Sequence, residues 1–320
     1  MARSILVTGA AGFAGSHLVD LLAGGATRGD PRNDVQIVAW RRPGGRPLRE
    51  LNHVRWDAVD LLDQAAVTAA LRTHRPDVVY HCAGAPHVGR AFDTIASTLA
   101  VNVRATHRLL EGLREAALSP ILLLPSSAMV YRPSNDAIAE DGELLPANPY
   151  GFTKLAQEQL AIRARADGID VRVARPFNHI GPRQDPTFAA SGFARQIAEI
   201  EAGRRAPEIV VGNLAARRDL TDVRDTVRAY RAIVERGAPG CCYNVSTGCA
   251  PSVQEVLDRL VAEAHVPVRI RVDPARFRPQ DTKVVVGDPA RIRRELGWRA
   301  TIPLEQSLRD VLEYWRGEIQ

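Results

Sequence analysis

Tyr150 and Lys154 stand four residues apart in NPYGFTK, so on a helix they share one face and the ammonium lies beside the phenol. A neighbouring cation stabilises phenolate and draws a tyrosine down from its ordinary pKa of about 10, making the phenol usable as an acid or base near neutral pH. Upstream, Ser127 ends the apolar run ILLLPSS, where its hydroxyl can hold a substrate oxygen. The composition makes the lysine conspicuous. Of 42 basic residues only Lys154 and Lys283 are lysines, so a chain that has nearly abandoned lysine keeps one of its two in this frame. A point ammonium that must reach two partners is not well replaced by a planar guanidinium.

A second constellation lies at the N-terminus. The apolar run ILVT leads into Gly9, Ala10, Ala11, Gly12, Phe13, Ala14 and Gly15, and then into the helical pattern SHLVDLL. Glycines so placed allow a tight turn, close approach of backbone to a pyrophosphate and close helix packing, and the helix N-terminus offers free N–H groups to the phosphates. The run that ends Val38-Ala39-Trp40 continues with Arg41 and Arg42 and has no acid there. A carboxylate at that place would accept bonds from a ribose 2′-hydroxyl, whereas guanidinium groups bind a 2′-phosphate, so the pair favours NADPH, with NADH possible. Asp60 and Leu61 follow the third strand, where a carboxylate can reach an adenine amine, and Ala83 and Gly84 follow the fourth with little side-chain bulk.

These residues need a scaffold that brings strand ends together. Short apolar runs alternate with longer amphipathic stretches through the first half, the pattern of a parallel sheet with helices on both faces. Strands are expected over Ser4 to Thr8, Val35 to Trp40, Val54 to Asp57, Val78 to Cys82, Ile121 to Ser126 and Asp170 to Arg175, with helices near 13–24, 63–73, 92–117 and 149–167. After Arg175 the breakers Pro176, Gly181, Pro182 and Pro186 change the pattern. The fold class is therefore α/β, a Rossmann doubly wound parallel sheet with a smaller C-terminal α/β domain. Residues 1–175 and 220–248 are assigned to the cofactor domain, and 176–219 and 249–320 to the substrate domain.

With 320 residues, 45% hydrophobic and 25% charged, the chain can bury a sizeable core in one large or two joined domains. Its formal charge of +5 raises the question of a nucleic-acid partner, but the arginine pairs at 41–42, 204–205, 217–218 and 293–294 are dispersed among acids, with no basic tail or aromatic-interleaved stripe. Cys82, Cys241, Cys242 and Cys249 lack metal spacing and read as reduced thiols, and no metal cluster is expected. The N-terminal apolar run is too short for a signal peptide and no stretch approaches the ~20 apolar residues of a membrane span, so the expected compartment is the cytoplasm.

Taken together, TGAAGFAG at 8–15, SSAMVY at 126–131, NPYGFTK at 148–154, RPFNHIGPRQ at 175–184, VGNLAARRDLTDVRD at 211–225 and YNVSTG at 243–248 resemble the extended short-chain dehydrogenase/reductases that act on nucleotide sugars. The resemblance covers essentially the whole chain. It implies a catalytic triad of Ser127, Tyr150 and Lys154, with Pro176 near the nicotinamide, Asn178 on the sugar diphosphate, and Arg218 and Arg278 on the diphosphate as well. It narrows to members that use NADPH to reduce the C4 ketone of a GDP-4-keto-6-deoxy-hexose, as from GDP-4-keto-6-deoxy-D-mannose to GDP-D-rhamnose, with the configuration at C4 left open. In dehydratases of this family a glutamate stands two places after the catalytic hydroxyl residue; here that place is Met129, whose thioether transfers no proton. The alternatives are a nucleotide-sugar 4-epimerase with the same triad, then a 4,6-dehydratase or a non-catalytic NADPH-binding sensor. Arg183 departs from the glycine of related reductases, and His81, His87 and His179 fall near the cofactor or substrate segments. The helices at 92–117 and 149–167 resemble the pair through which such enzymes form homodimers.

Overall fold

Runs such as ILVT, IVAW and LLLP are apolar at consecutive positions because helices cover both faces of the sheet they form. The computed structural model describes residues 3–24, 35–47, 51–85, 95–277 and 282–319. In it the runs become β1 (Arg3–Thr8), β2 (Val35–Arg41), β3 (Val54–Ala58), β4 (Val78–His81), β5 (Ile121–Pro125) and β6 (Asp170–Pro176), each within one residue of its expected ends. Three short strands, β7 (Asn178–Ile180), β8 (Glu208–Val211) and β9 (Arg217–Arg218), precede β10 (Leu220–Asp222) and β11 (Cys242–Val245). The last of these was not anticipated as a strand, being only four residues long with a polar Asn244 inside it. It adds a seventh strand beside β6, in the order β11-β6-β5-β4-β1-β2-β3 with every pairing parallel. Two further short strands, β12 (Arg269–Val272) and β13 (Val284–Val285), pair with β8 and β9, and β7 pairs with β10.

The period of two along each strand separates the two cores. Ile5, Val7, Ile37, Ala39, Val78 and Tyr80 face α1 (Phe13–Gly24), while Leu6, Val38, Trp40 and Val79 face α2 (Gln64–His74) and the helices beyond it. The expected helix 92–117 is one path in three parts: α3 (Ile95–Leu99), a π turn over Ala100–Arg104 and α4 (Ala105–Glu115), with residues 92–94 outside the described ones. Asn102 sits fully buried in that π turn. The fourth helix is α5 (Pro149–Arg163), extended by a 3₁₀ turn to Asp167.

A third core, built on Phe193, Ile197, Ile209, Val211, Leu257, Leu260, Val311 and Leu312, joins α6 (Ala189–Glu201), α8 (Val253–Ala262) and α10 (Leu304–Ile319). Between α6 and α8 the chain returns to the sheet. There α7 (Val223–Arg236) adds Val227, Tyr230 and Ile233 to the first core, and α9 (Ala290–Leu296) adds Ile292 and Leu296. Among the described residues no helix is long and apolar enough to cross a membrane.

One ion pair is buried where α5 crosses β6. Arg175 meets Glu158 in a bidentate fork at 3.0 and 2.7 Å, and also donates to the Tyr131 hydroxyl at 2.8 Å. Both side chains are almost wholly out of water, so removing either partner leaves the other charged and unanswered. Glu158→Ala is expected to cost about 3–5 kcal/mol, read as a drop in the urea midpoint at unchanged slope.

Candidate active site

The carboxyl ends of β1, β4, β5 and β6 converge, as ligand sites of open α/β sheets do. At β1 the chain turns sharply. Gly9 has φ +66°, and a Cβ there would come within 2.6 Å of the Ala83 backbone, so the first glycine serves both the left-handed turn and the crossing over the end of β4. Gly15 packs its α-carbon against the Gly9 carbonyl, where any side chain would collide, and this seats the first turn of α1 on the loop. Gly12 N–H donates to Gly9 O at 2.9 Å and Ser16 N–H to Gly12 O at 2.9 Å. Phe13 and Ala14 open the helix.

On the neighbouring strand ends, Arg41 terminates β2 and donates to Gly45 O at 2.7 Å across its own turn, while Arg42 is exposed. The Asp60 carboxylate accepts from Leu62 N–H at 2.9 Å, and Leu61 packs against the second core. Ala83 N–H lies 3.3 Å from Thr8 Oγ1. Gly84 comes close to Lys154, whose Nζ lies 3.7 Å from where its Cβ would stand.

The frame of the candidate triad is set by the cap of α5. Asn148 Oδ1 accepts from Gly151 N–H at 2.9 Å, Pro149 takes the first helical position, and Tyr150 and Lys154 follow one turn apart. Ser127, extended after β5, accepts from Met129 N–H at 3.1 Å, and its hydroxyl lies near enough to the Tyr150 phenol to favour the phenolate. Lys154 Nζ donates to Pro125 O at 2.9 Å. Here the structure departs from the sequence-based expectation for the tyrosine. Burial pushes its phenol up to about 12, opposed by the Ser127 hydroxyl, while the ammonium expected to lower it points instead at the β5 carbonyl. Burial also pulls Lys154 down to about 8, against the opposing pull of Cys82 and Glu158.

Several contributors to this frame carry no motif signal. Asn102 in the π turn accepts from Ala85 N–H at 2.7 Å and donates to Thr153 Oγ1 at 2.9 Å, and Thr153 donates on to Tyr150 O at 2.8 Å. One buried amide thus fixes the loop after β4 to the first turn of α5. His81 lies between Thr8 Oγ1 (2.8 Å) and Thr106 Oγ1 (2.9 Å), and Thr106 spends its single proton on Asn102 O at 2.6 Å. That assignment makes His81 Nε2 the donor and Nδ1 the acceptor, a neutral ring. Burial, then the charge of Lys154, hold it down to about 3. His81 is thus a structural link between β4 and α4.

On the other side, Pro176 ends β6 beside Val245, and Asn178 in β7 lies in register with Leu220. His179 stacks on Phe13 with ring centres 5.5 Å apart and planes 7° from parallel, His17 Nε2 meets Pro182 O at 2.9 Å, and Arg183 pairs with Asp20 at 2.7 Å. Segment 178–184 is thereby pinned to α1. Arg183 adopts φ +72°, the left-handed region that favours glycine. Arg218 in β9 donates to Thr282 O at 2.7 Å. Arg278 and His87 lie outside the described residues. Among the described residues no three His, Cys, Asp or Glu side chains gather as a metal ion requires.

A family model described as GDP-mannose 4,6 dehydratase matches residues 6–311. GDP-6-deoxy-D-mannose reductase of Pseudomonas aeruginosa is 35% identical over 324 residues, covering 100% of this chain and 99% of its own. UDP-glucose 4-epimerase 2 of Oryza sativa subsp. japonica is 29% identical over 96% of this chain and 80% of its own. Among solved structures, RMD from Pseudomonas aeruginosa complexed with NADPH superposes with a TM-score of 0.86 at 33% identity, over 99% of this chain and 100% of the other. Sequence and fold agree, and the chain belongs to the GDP-mannose 4,6-dehydratase family of extended short-chain dehydrogenase/reductases.

Proposed function

We propose that this chain is a cytoplasmic NADPH-dependent reductase of a GDP-4-keto-6-deoxy-hexose, taking GDP-4-keto-6-deoxy-D-mannose to GDP-D-rhamnose. The observation that carries this function is the buried phenol of Tyr150 beside Ser127, with Lys154 one turn along the same helix. The full-length relative named GDP-6-deoxy-D-mannose reductase, and the similar structure complexed with NADPH, support the substrate and the cofactor.

The residues present fit a dinucleotide. Gly9, Gly12 and Gly15 with Phe13 and Ala14 would hold the pyrophosphate at the α1 N-terminus, Asp60 and Leu61 the adenine, Arg41 and Arg42 the 2′-phosphate, and Ala83, Gly84 and Pro176 the remainder. NADPH supplies the hydride. Ser127 holds the ketone oxygen, and Tyr150 delivers its phenolic proton to that oxygen as negative charge develops there. Lys154 would turn from the Pro125 carbonyl to a ribose hydroxyl and support the phenolate that remains. Asn178, Arg218 and Arg278 hold the GDP diphosphate. Met129 occupies the place from which a dehydratase takes its proton, and its backbone carbonyl packs against Gly151 while its sulfur lies 3.8 Å from Asn148 Nδ2. Elimination of water is therefore not supported. In the same proposal, residues 1–175 and 220–248 form the cofactor domain and the remainder the sugar-nucleotide domain, although α9 of that remainder packs on the cofactor core.

The deciding assay follows absorbance loss of NADPH or NADH with enzymatically made GDP-4-keto-6-deoxymannose and assigns the product's C4 configuration by NMR. Oxidation of neither cofactor would sink the reductase and point to an epimerase. Tyr150→Phe should lower kcat by about 10²–10⁴-fold with little change in NADPH binding by fluorescence titration.

A pH profile follows from Lys154. A lysine whose pKa is lowered keeps its ammonium only below the new value, so kcat/KM should hold as pH rises towards about 8 and fall tenfold per unit beyond it. A profile flat to pH 10 would remove the ammonium from the mechanism.

A homodimer is also part of the proposal. Phe152 is 60% exposed and Ile162, Ile95 and Val101 are exposed with it, on α5 and on the α3–π path that packs beside it. Phe152→Glu should shift the mass in sedimentation equilibrium from dimer towards monomer; a wild-type monomer would refute this part.

A further inference from the structure

The segment RRDLTD carries Arg218 in β9 and pairs through Leu220 with Asn178, so Arg218 and the strand partner of Asn178 flank a single residue, Asp219. Asp219 is fully buried. Its Oδ1 accepts from Thr247 N–H at 2.8 Å and from the Thr247 hydroxyl at 2.7 Å, and its Oδ2 from Gly248 N–H at 2.9 Å and Gly287 N–H at 3.3 Å. The backbone on either side is equally constrained: Asp219 N–H donates to Val285 O at 2.8 Å, and Arg218 N–H to Pro251 O at 3.0 Å.

One carboxylate therefore gathers three segments that are distant in sequence: the β9–β10 junction, the turn after β11 and the chain after β13. The last reaches the other flank of the candidate subsite. Gly287 lies against the Phe177 ring, where a Cβ would come within 2.5 Å of it, and Phe177 directly precedes Asn178. Four donors on one carboxylate amount to a built acceptor site, and an aspartate that served only solubility would not be sunk among backbone amides.

We propose that Asp219 is the positioning residue of the diphosphate subsite, holding Arg218 and the Phe177-Asn178 strand at the separation a nucleoside diphosphate requires, without touching the ligand itself. This rests on the assignment of Arg218 to the diphosphate, and the test separates the two. Asp219→Asn keeps the shape but turns an NH₂ group towards N–H donors, so the junction must open.

The experiment measures the Kd of GDP by calorimetry and that of NADPH by fluorescence for wild type, Arg218→Ala, Asp219→Asn and the double variant, below the melting temperature of each. Arg218→Ala and Asp219→Asn are each expected to weaken GDP by roughly tenfold or more, the size of one lost charged hydrogen bond. The double variant should be no weaker than the worse single one, because both remove the same contact. NADPH binding should stay within about twofold, and a residue that merely stabilised the fold would lower the melting temperature while leaving the GDP constant of the folded protein unmoved. If Arg218→Ala leaves GDP binding unchanged, the diphosphate assignment fails. If it weakens GDP but Asp219→Asn does not, or the losses multiply in the double variant, the positioning role fails. Should Asp219→Asn not fold, Thr247→Val, which removes one of the four bonds, takes its place under the same criteria with a severalfold expected loss.

Discussion

Burying an ammonium costs several kcal/mol unless dipoles and charge answer it, and the surroundings of Lys154 are arranged by that requirement. Pro125 O at the end of β5 accepts its proton at 2.9 Å. Glu158, one helical turn further, offers the compensating charge and is itself held by Arg175 from β6. Arg175 in turn is seated over the Tyr131 ring at 4.9 Å, and the Tyr131 hydroxyl donates to Asn244 in β11 at 2.8 Å. From one charge, a chain of obligatory partners crosses β5, α5, β6 and β11. Charge answering charge explains why so polar a seam can lie beneath the reactive end of an otherwise apolar sheet.

The same seam marks where sequence alone stops being informative. Strands such as ILVT and LLLP are legible because burial on both faces makes them continuous apolar runs. The short strand CYNV is not, since its pairing depends on β6 and on Asn244 meeting Tyr131 and Ile138. The frame of Tyr150 and Lys154 was legible because helical spacing is local. That Asn102 and Thr153 hold the frame could not be read, since they act on each other across 51 residues and on the loop after β4. The tyrosine's environment shows the same limit: spacing placed a cation within reach, but burial, a property of the whole fold, moves the phenol the other way.

The arginine-rich composition divides along similar lines. Many arginines sit in local pairs that a helical spacing foretells, such as Arg163 with Asp167 and Arg195 with Glu199, and these add little stability on a solvated face. Others join distant parts: Arg183 binds Asp20 on α1, and Arg224 bridges Asp222 and Asp310. The acids of DLTDVRD act likewise at a spacing of three. Asp219 takes backbone amides after β11 and β13, Asp222 takes Ser307 of α10, and Asp225 takes the amides of Thr301 and Ile302. A segment that reads as a run of alternating charge is in the fold a row of stitches between the sheet and the third core.

The protonation states have a direction. With its phenol pushed up to about 12, Tyr150 stays protonated throughout the neutral range, while Lys154 at about 8 is still largely charged there. A site resting in that state is stocked with a proton to give and a cation to stabilise the anion left behind, which are the needs of carbonyl reduction. Burial of the phenol thus keeps the proton on Tyr150 until the developing charge on a substrate oxygen draws it away.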